Sequence, residues 1–131
     1  MQKIVLAIGI GGFIGAISRY GMSIALGSII PSPFSIWFVN MIGCFLLLFF
    51  IHWKKSFPKW IRIGIATGII GAFTTFSTFI VDFILYWNQG EWLLGSIYFL
   101  ITIIGAGIAS YVGYLLAQKV NSKQQVAQHK L

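Results

Sequence analysis

Gly71-Ala72-Phe73-Thr74-Thr75-Phe76-Ser77-Thr78-Phe79 is the stretch on which the reading of this chain turns. It lies inside a long apolar segment where an unbroken hydrophobic helix is the simplest expectation. Instead it carries a glycine, two adjacent β-branched threonines, a serine and regularly spaced phenylalanines. Gly and β-branched residues are poor helix formers. Irregular backbone at membrane depth persists only where protein buries it or where it lines a polar cavity. The stretch therefore predicts a broken helix at a permeation or ion-binding site.

The surroundings make it a membrane segment. Of 131 residues, 58% are hydrophobic and 8% charged, and mean hydropathy is +0.90. Soluble domains carry about 25% charged residues. Four apolar segments are read, at about 4–26, 34–53, 61–87 and 92–116. Each meets the roughly 20 residues needed to cross a bilayer. The expected fold is thus all-α, with four transmembrane helices over residues 1–117 and the third broken near its middle. Residues 118–131 form a polar C-terminal tail, expected to be frayed. The first segment contains Arg19 and lacks a recognisable cleavage site, so it reads as a retained helix. The lone cysteine, Cys44, excludes an intramolecular disulfide and reads as a small buried residue.

In a soluble protein, a net charge of +7 would point to nucleic acid. Here topology accounts for it. With four spans, Lys3, Lys54, Lys55, Lys59, Arg62, Lys119, Lys123 and Lys130 share one side of the membrane. The opposite loops hold no Lys or Arg and one acid, Glu91. Basic loops stay cytoplasmic. Both termini are expected in the cytoplasm of a multi-pass plasma-membrane protein, with no nucleic-acid partner.

The first helix pairs Gly11 with Gly15 and Gly12 with Ala16, spacings that let helix backbones approach. Gly64 and Gly68 repeat the spacing in the third. Polar groups within the spans are few. Arg19 is functional by default, since a charge in a span is costly, or else it snorkels to the interface. Asn40 is either interhelical glue or a pore group. Asp82, the one carboxylate in a span, reads equally as a proton site, a charge partner for Arg19 or a hydrogen-bond acceptor. Tyr98 and Thr102, four residues apart, share a helix face.

Enzyme chemistry has little to stand on. One carboxylate in the membrane and one in a loop do not make a hydrolytic pair. Two histidines and one cysteine make no metal cluster. The span polar groups are mainly donors: Asn40, Arg19, Tyr98, Thr102 and the hydroxyls of Thr75, Ser77 and Thr78. Aromatic ring edges carry partial positive charge, and Phe76 and Phe79 lie near one helix face. Donors and ring edges suit a small anion, although core packing explains the phenylalanines as well. A break also frees carbonyl oxygens, which suit a hard cation such as sodium.

These motifs resemble one family. Gly11-Gly12-Phe13-Ile14-Gly15-Ala16-Ile17-Ser18-Arg19-Tyr20 is similar to the GGxxGAxxRY of the Fluc (CrcB) fluoride channels. Val39-Asn40 with Gly43 resembles their second-helix VNxxG. Residues 71–79 resemble their third-helix break. The resemblance spans all but the tail. It implies two four-helix subunits packed antiparallel, in dual topology, with fluoride pores between them and passive export of cytoplasmic fluoride. It implies that Asn40 sits on the pore and that Phe76 and Phe79 face fluoride. Tyr98 and Thr102 would belong to a polar track, with Thr75, Ser77 and Thr78 on the same pathway. Gly71 and Thr74 would give backbone carbonyls to a structural sodium ion at the centre of the dimer. Arg19 would hold the vestibule, with Asp82 as a second structural charge.

The chain departs from the family's usual pattern at Ser35-Ile36, Ile80, Asp82 and Ala106. The lost hydroxyls bear on one of the two expected pores. The charge asymmetry bears on assembly, because chains that insert both ways need a weak bias. A fixed orientation, with an oppositely inserted sister chain as partner, is expected. The competing reading is a proton-coupled cation exporter of the small multidrug type. Such exporters rely on a carboxylate in the first helix, where this chain has Arg19.

Overall fold

Apolar sequence with few breakers dictates long helices, and the computed structural model consists of them. It describes residues 1–53 and 57–128, with side chains through 124. Helix α1 runs Gln2–Gly27 and α2 runs Ser32–His52. The third span is composite. It begins as α3, Lys59–Ile63, widens into a π-helical stretch, Gly64–Ile70, and tightens into one turn, α4, Gly71–Phe73. It resumes as α5, Phe76–Asn88. Helix α6 runs Trp92–Gln128. Four spans are long and apolar enough to cross a membrane, so the chain is a multi-pass membrane protein.

The turns have local causes. Pro31 precedes α2 and Pro33 lies in its first turn, where a missing N–H costs nothing. Pro58 does the same ahead of α3. Gly90, with φ +76°, supplies the left-handed residue between α5 and α6.

Alternate spans pack in parallel pairs: α1 on the third span and α2 on α6. The first pair depends on bare backbone. A Cβ on Gly11 would lie 2.5 Å from the Gly64 carbonyl oxygen, and one on Gly15 would strike the Ile69 carbonyl. The spacing read as a packing signal is therefore used on both helices. In the second pair, Gly113 lets α6 approach the Phe45 carbonyl. The Trp37 indole donates to the Ile101 carbonyl at 3.5 Å.

One end differs from expectation. Helix α6 does not fray after 116 but continues through Gln128. Good helix formers allow this, and a tertiary anchor fixes it. Asn121, nearly buried, donates its amide to the His52 carbonyl at 2.9 Å. At about 1.5 Å per residue, the 37 residues of α6 span roughly 55 Å, well beyond the ~30 Å hydrocarbon core.

Of the charges behind the expected orientation, Lys3, Lys59, Arg62, Lys119 and Lys123 fall at one end of the bundle and Glu91 at the other. Lys54, Lys55 and Lys130 lie outside the described residues. Arg62 also has a structural task. It donates to the Ile51 carbonyl at 2.5 Å and to the Trp53 carbonyl at 3.4 Å, capping the C-terminus of α2.

Candidate functional site

The interruption of the third span is two residues long. Thr74 (φ −75°, ψ 152°) and Thr75 (φ −140°, ψ 115°) are extended between α4 and α5. Crowded β-branched side chains favour that geometry. An extended residue in a helix leaves its backbone groups without ladder partners, and Thr75 is buried. Asn40 on α2 solves this with one side chain. Its Oδ1 accepts from the Thr75 N–H at 2.8 Å, and its Nδ2 donates to the Thr75 carbonyl at 2.9 Å. The amide thus satisfies both backbone groups of the interrupted residue. The interhelical role of Asn40 is thus observed, and its second Nδ2 hydrogen is not needed for that task.

The break is capped on both sides. Toward α4, the Thr74 hydroxyl donates to the Gly71 carbonyl at 3.1 Å. Toward α5, the Thr75 hydroxyl is the N-cap and accepts from the Thr78 N–H at 3.2 Å. The same oxygen meets the Ser77 hydroxyl at 3.2 Å and the Thr78 hydroxyl at 2.9 Å. Three hydroxyl protons serve two hydroxyl–hydroxyl bonds, so one donor is left over.

A cleft of about 180 Å³ opens beside the break, lined by Asn40, Cys44, Thr74, Thr75, Phe76, Phe79, Thr102, Ile103 and Ala106. Its lining contains no carboxylate and no cation. The two phenylalanines differ sharply. Phe79 is 1% exposed and Phe76 is 70% exposed, with ring centroids 5.7 Å apart. Phe79 also packs on Tyr98 and Phe99, at 5.4 and 5.7 Å. Phe79 is therefore a core residue with one side on the cleft, while Phe76 stands open.

The fourth-span hydroxyls are committed within the chain. Thr102 lines the cleft but donates to the Tyr98 carbonyl at 2.8 Å. Tyr98 lies behind Phe79, outside the cleft, and donates to Asp82 at 3.4 Å. Asp82 is buried and takes the hydrogen-bond-acceptor role among the three read from sequence. No ion pair joins it to Arg19 among the described residues. Arg19 is half-exposed on α1 and is not brought to the cleft. Ser77 and Thr78 belong to the capping network and not to the lining. Sequence reasoning missed Cys44 as a lining residue. Its place one turn after Asn40, on the same helix face, was the available signal.

Gly71 is exposed and opens the single turn α4, and its carbonyl accepts from the Thr74 hydroxyl. A Cβ there would meet only the Ala66 carbonyl, at 3.6 Å. The C-terminal end of this turn carries neutral carbonyl oxygens, negative in dipole sense. That donor set fits a hard monovalent cation. No group of three His, Cys, Asp or Glu side chains able to hold a metal occurs among the described residues.

A third span interrupted near its middle, with Asn40 bridging to the break beside a cleft free of charged side chains, agrees with the broken third helix that the Fluc resemblance implies. Comparison with known proteins shows the family. The family model described as CrcB-like protein, Camphor Resistance (CrcB), matches residues 6–114. This chain belongs to the CrcB family. Its relatives include "Fluoride-specific ion channel FluC 2" of Geobacillus kaustophilus, 35% identical over 88% of this chain and 93% of the relative. "Fluoride-specific ion channel FluC 1" of Bacillus cereus strain ATCC 10987 is 38% identical over 88% and 89%. "Fluoride-specific ion channel FluC 2" of Listeria monocytogenes serotype 4b is 42% identical over 88% and 91%. These are names of channels and not of enzymes, and this CrcB chain is a channel-family protein, not an enzyme.

Proposed function

We propose that this chain is one subunit of a fluoride-selective passive channel that exports cytoplasmic fluoride. The observation that carries the reading is the cleft beside the Thr74–Thr75 break, whose polar lining groups are neutral and include the spare N–H of Asn40. A carboxylate there would repel an anion, and a fixed cation would trap it. Neutral donors and ring edges offer enough attraction to replace part of a hydration shell without holding the ion. The relatives named as fluoride-specific channels support the choice of ion.

In this reading Asn40, Phe76, Phe79 and Thr102 line the path, and the Thr75, Ser77 and Thr78 hydroxyls supply the further donor. Tyr98 stiffens Phe79 from behind. Asp82 fixes Tyr98, and Arg19 draws anions toward the mouth. The exposed Phe76 and the open side of the cleft call for a second subunit, packed antiparallel, to close the pore. Gly71 and Thr74 from each subunit would hold a structural sodium ion through their carbonyls. Bound there, its positive charge would offset the negative C-terminal ends of the two α4 turns. The basic residues at one end orient the chain with both termini in the cytoplasm, which assigns the opposite orientation to a sister chain.

Fluoride enters cells as neutral HF from acid surroundings and is trapped inside as the anion. A selective leak for the anion relieves this load. Deleting the chain from its host should raise cytoplasmic fluoride and sensitise growth to fluoride, more strongly at acid pH. Unchanged tolerance at every pH would contradict the proposal.

A further inference from the structure

Two hollows meet where α1 and α3 begin. One, of about 630 Å³, lies between the helix starts and is lined by Lys3, Lys59 and Trp60 among others. The second, of about 950 Å³, is an apolar groove along α1 that includes Val5, Gly9 and Phe13. Lys3 lines both. We propose that they form one site for a membrane phospholipid with an anionic headgroup, the phosphate between Lys3 and Lys59 and an acyl chain along α1.

Charge argues for the headgroup. The whole chain has two acidic side chains. Asp82 is buried in the third span against Tyr98, and Glu91 lies in the loop at the far end of the bundle. Neither can neutralise Lys3 or Lys59, which are both exposed. No acidic side chain of the protein is therefore placed to pair with them. Basic pockets between transmembrane helices on the cytoplasmic side are suited to lipid head groups. Trp60, 42% exposed beside them, is the residue type that settles at headgroup depth.

Shape argues for a lipid over a free anion. Val5, Gly9 and Phe13 recur every four residues and share a face. A Cβ on Gly9 would meet nothing within 4 Å, so the glycine leaves a notch in that face. From Lys3 to Phe13 the helix rises about 15 Å, half of the ~30 Å hydrocarbon core. That is the depth of one leaflet, and the length an acyl chain needs. The site is independent of which ion the channel conducts.

The test is native mass spectrometry of the purified full-length protein titrated with phosphatidylglycerol or phosphatidylcholine. Phosphatidylglycerol should bind more tightly. Lys3→Gln with Lys59→Gln should weaken it roughly 10- to 30-fold and leave phosphatidylcholine unchanged. Lys119→Gln with Lys123→Gln, at the same end of the bundle but outside both hollows, should keep near wild-type affinity. Equal binding of the two lipids, or equal loss in both double variants, would overturn the site. Displacement of the lipid by inorganic phosphate would make it a free-anion site and overturn it too. So would a change in self-association by Lys3→Gln with Lys59→Gln at unaltered lipid binding, which would mark a protein interface.

Discussion

Asn40 binds Thr75 through both ends of its amide, and that pairing sets what substitutions there must do. Asn40→Leu keeps the bulk and removes both partners. Two buried backbone groups are then unpaired, at about 1–3 kcal/mol each. The expected result is a marked drop in thermal stability in detergent together with loss of conduction. A variant that conducts poorly at full stability would show that Asn40 serves the ion alone. Phe76 and Phe79 separate in the same way. At 70% and 1% exposure, they sit in different environments despite touching rings. Phe76→Ile should spare stability and impair fluoride flux, whereas Phe79→Ile should lower both.

At the scale of elements, the contact of α1 with the third span rests on glycine. A Cβ at Gly15 would collide with the Ile69 carbonyl, while one at Gly21 meets nothing within 4 Å. Gly15→Ala should lower the unfolding temperature by pushing the helices apart. Gly21→Ala should be neutral or slightly stabilising, since Ala is favoured over Gly in helix by about 1 kcal/mol. Equal effects would mean that α1 does not approach through its Gly11–Gly15 face. These glycines were legible in the sequence because their spacing is local. The four spans were legible from hydropathy, and the interruption from two adjacent threonines in an apolar run. The π-helical stretch Gly64–Ile70 was not. Gly64 and Gly68 within it lie against the α1 backbone, and their spacing signals that approach but not the change of helix type. Nor was the partner of Asn40, which lies 35 residues away on another helix. The length of α6 was underestimated for a related reason. A polar segment reads as a tail until a contact such as that of Asn121 with His52 fixes it.

For the whole molecule, charge and shape point the same way. The described basic residues outside the spans cluster at one end, with Glu91 at the other. Reporter fusions at the C-terminus should signal from the cytoplasm only. Equal cytoplasmic and external signals would contradict a fixed orientation and, with it, the need for a sister chain. In the proposed channel, the open cleft and the exposed Phe76 are closed by a partner subunit either way. The most direct measurement is therefore fluoride efflux from liposomes holding the purified chain, alone and together with an oppositely inserted sister chain. The account predicts fluoride release with little chloride release in at least one preparation, and reduced release with Phe76→Ile. No fluoride release from either preparation would contradict it.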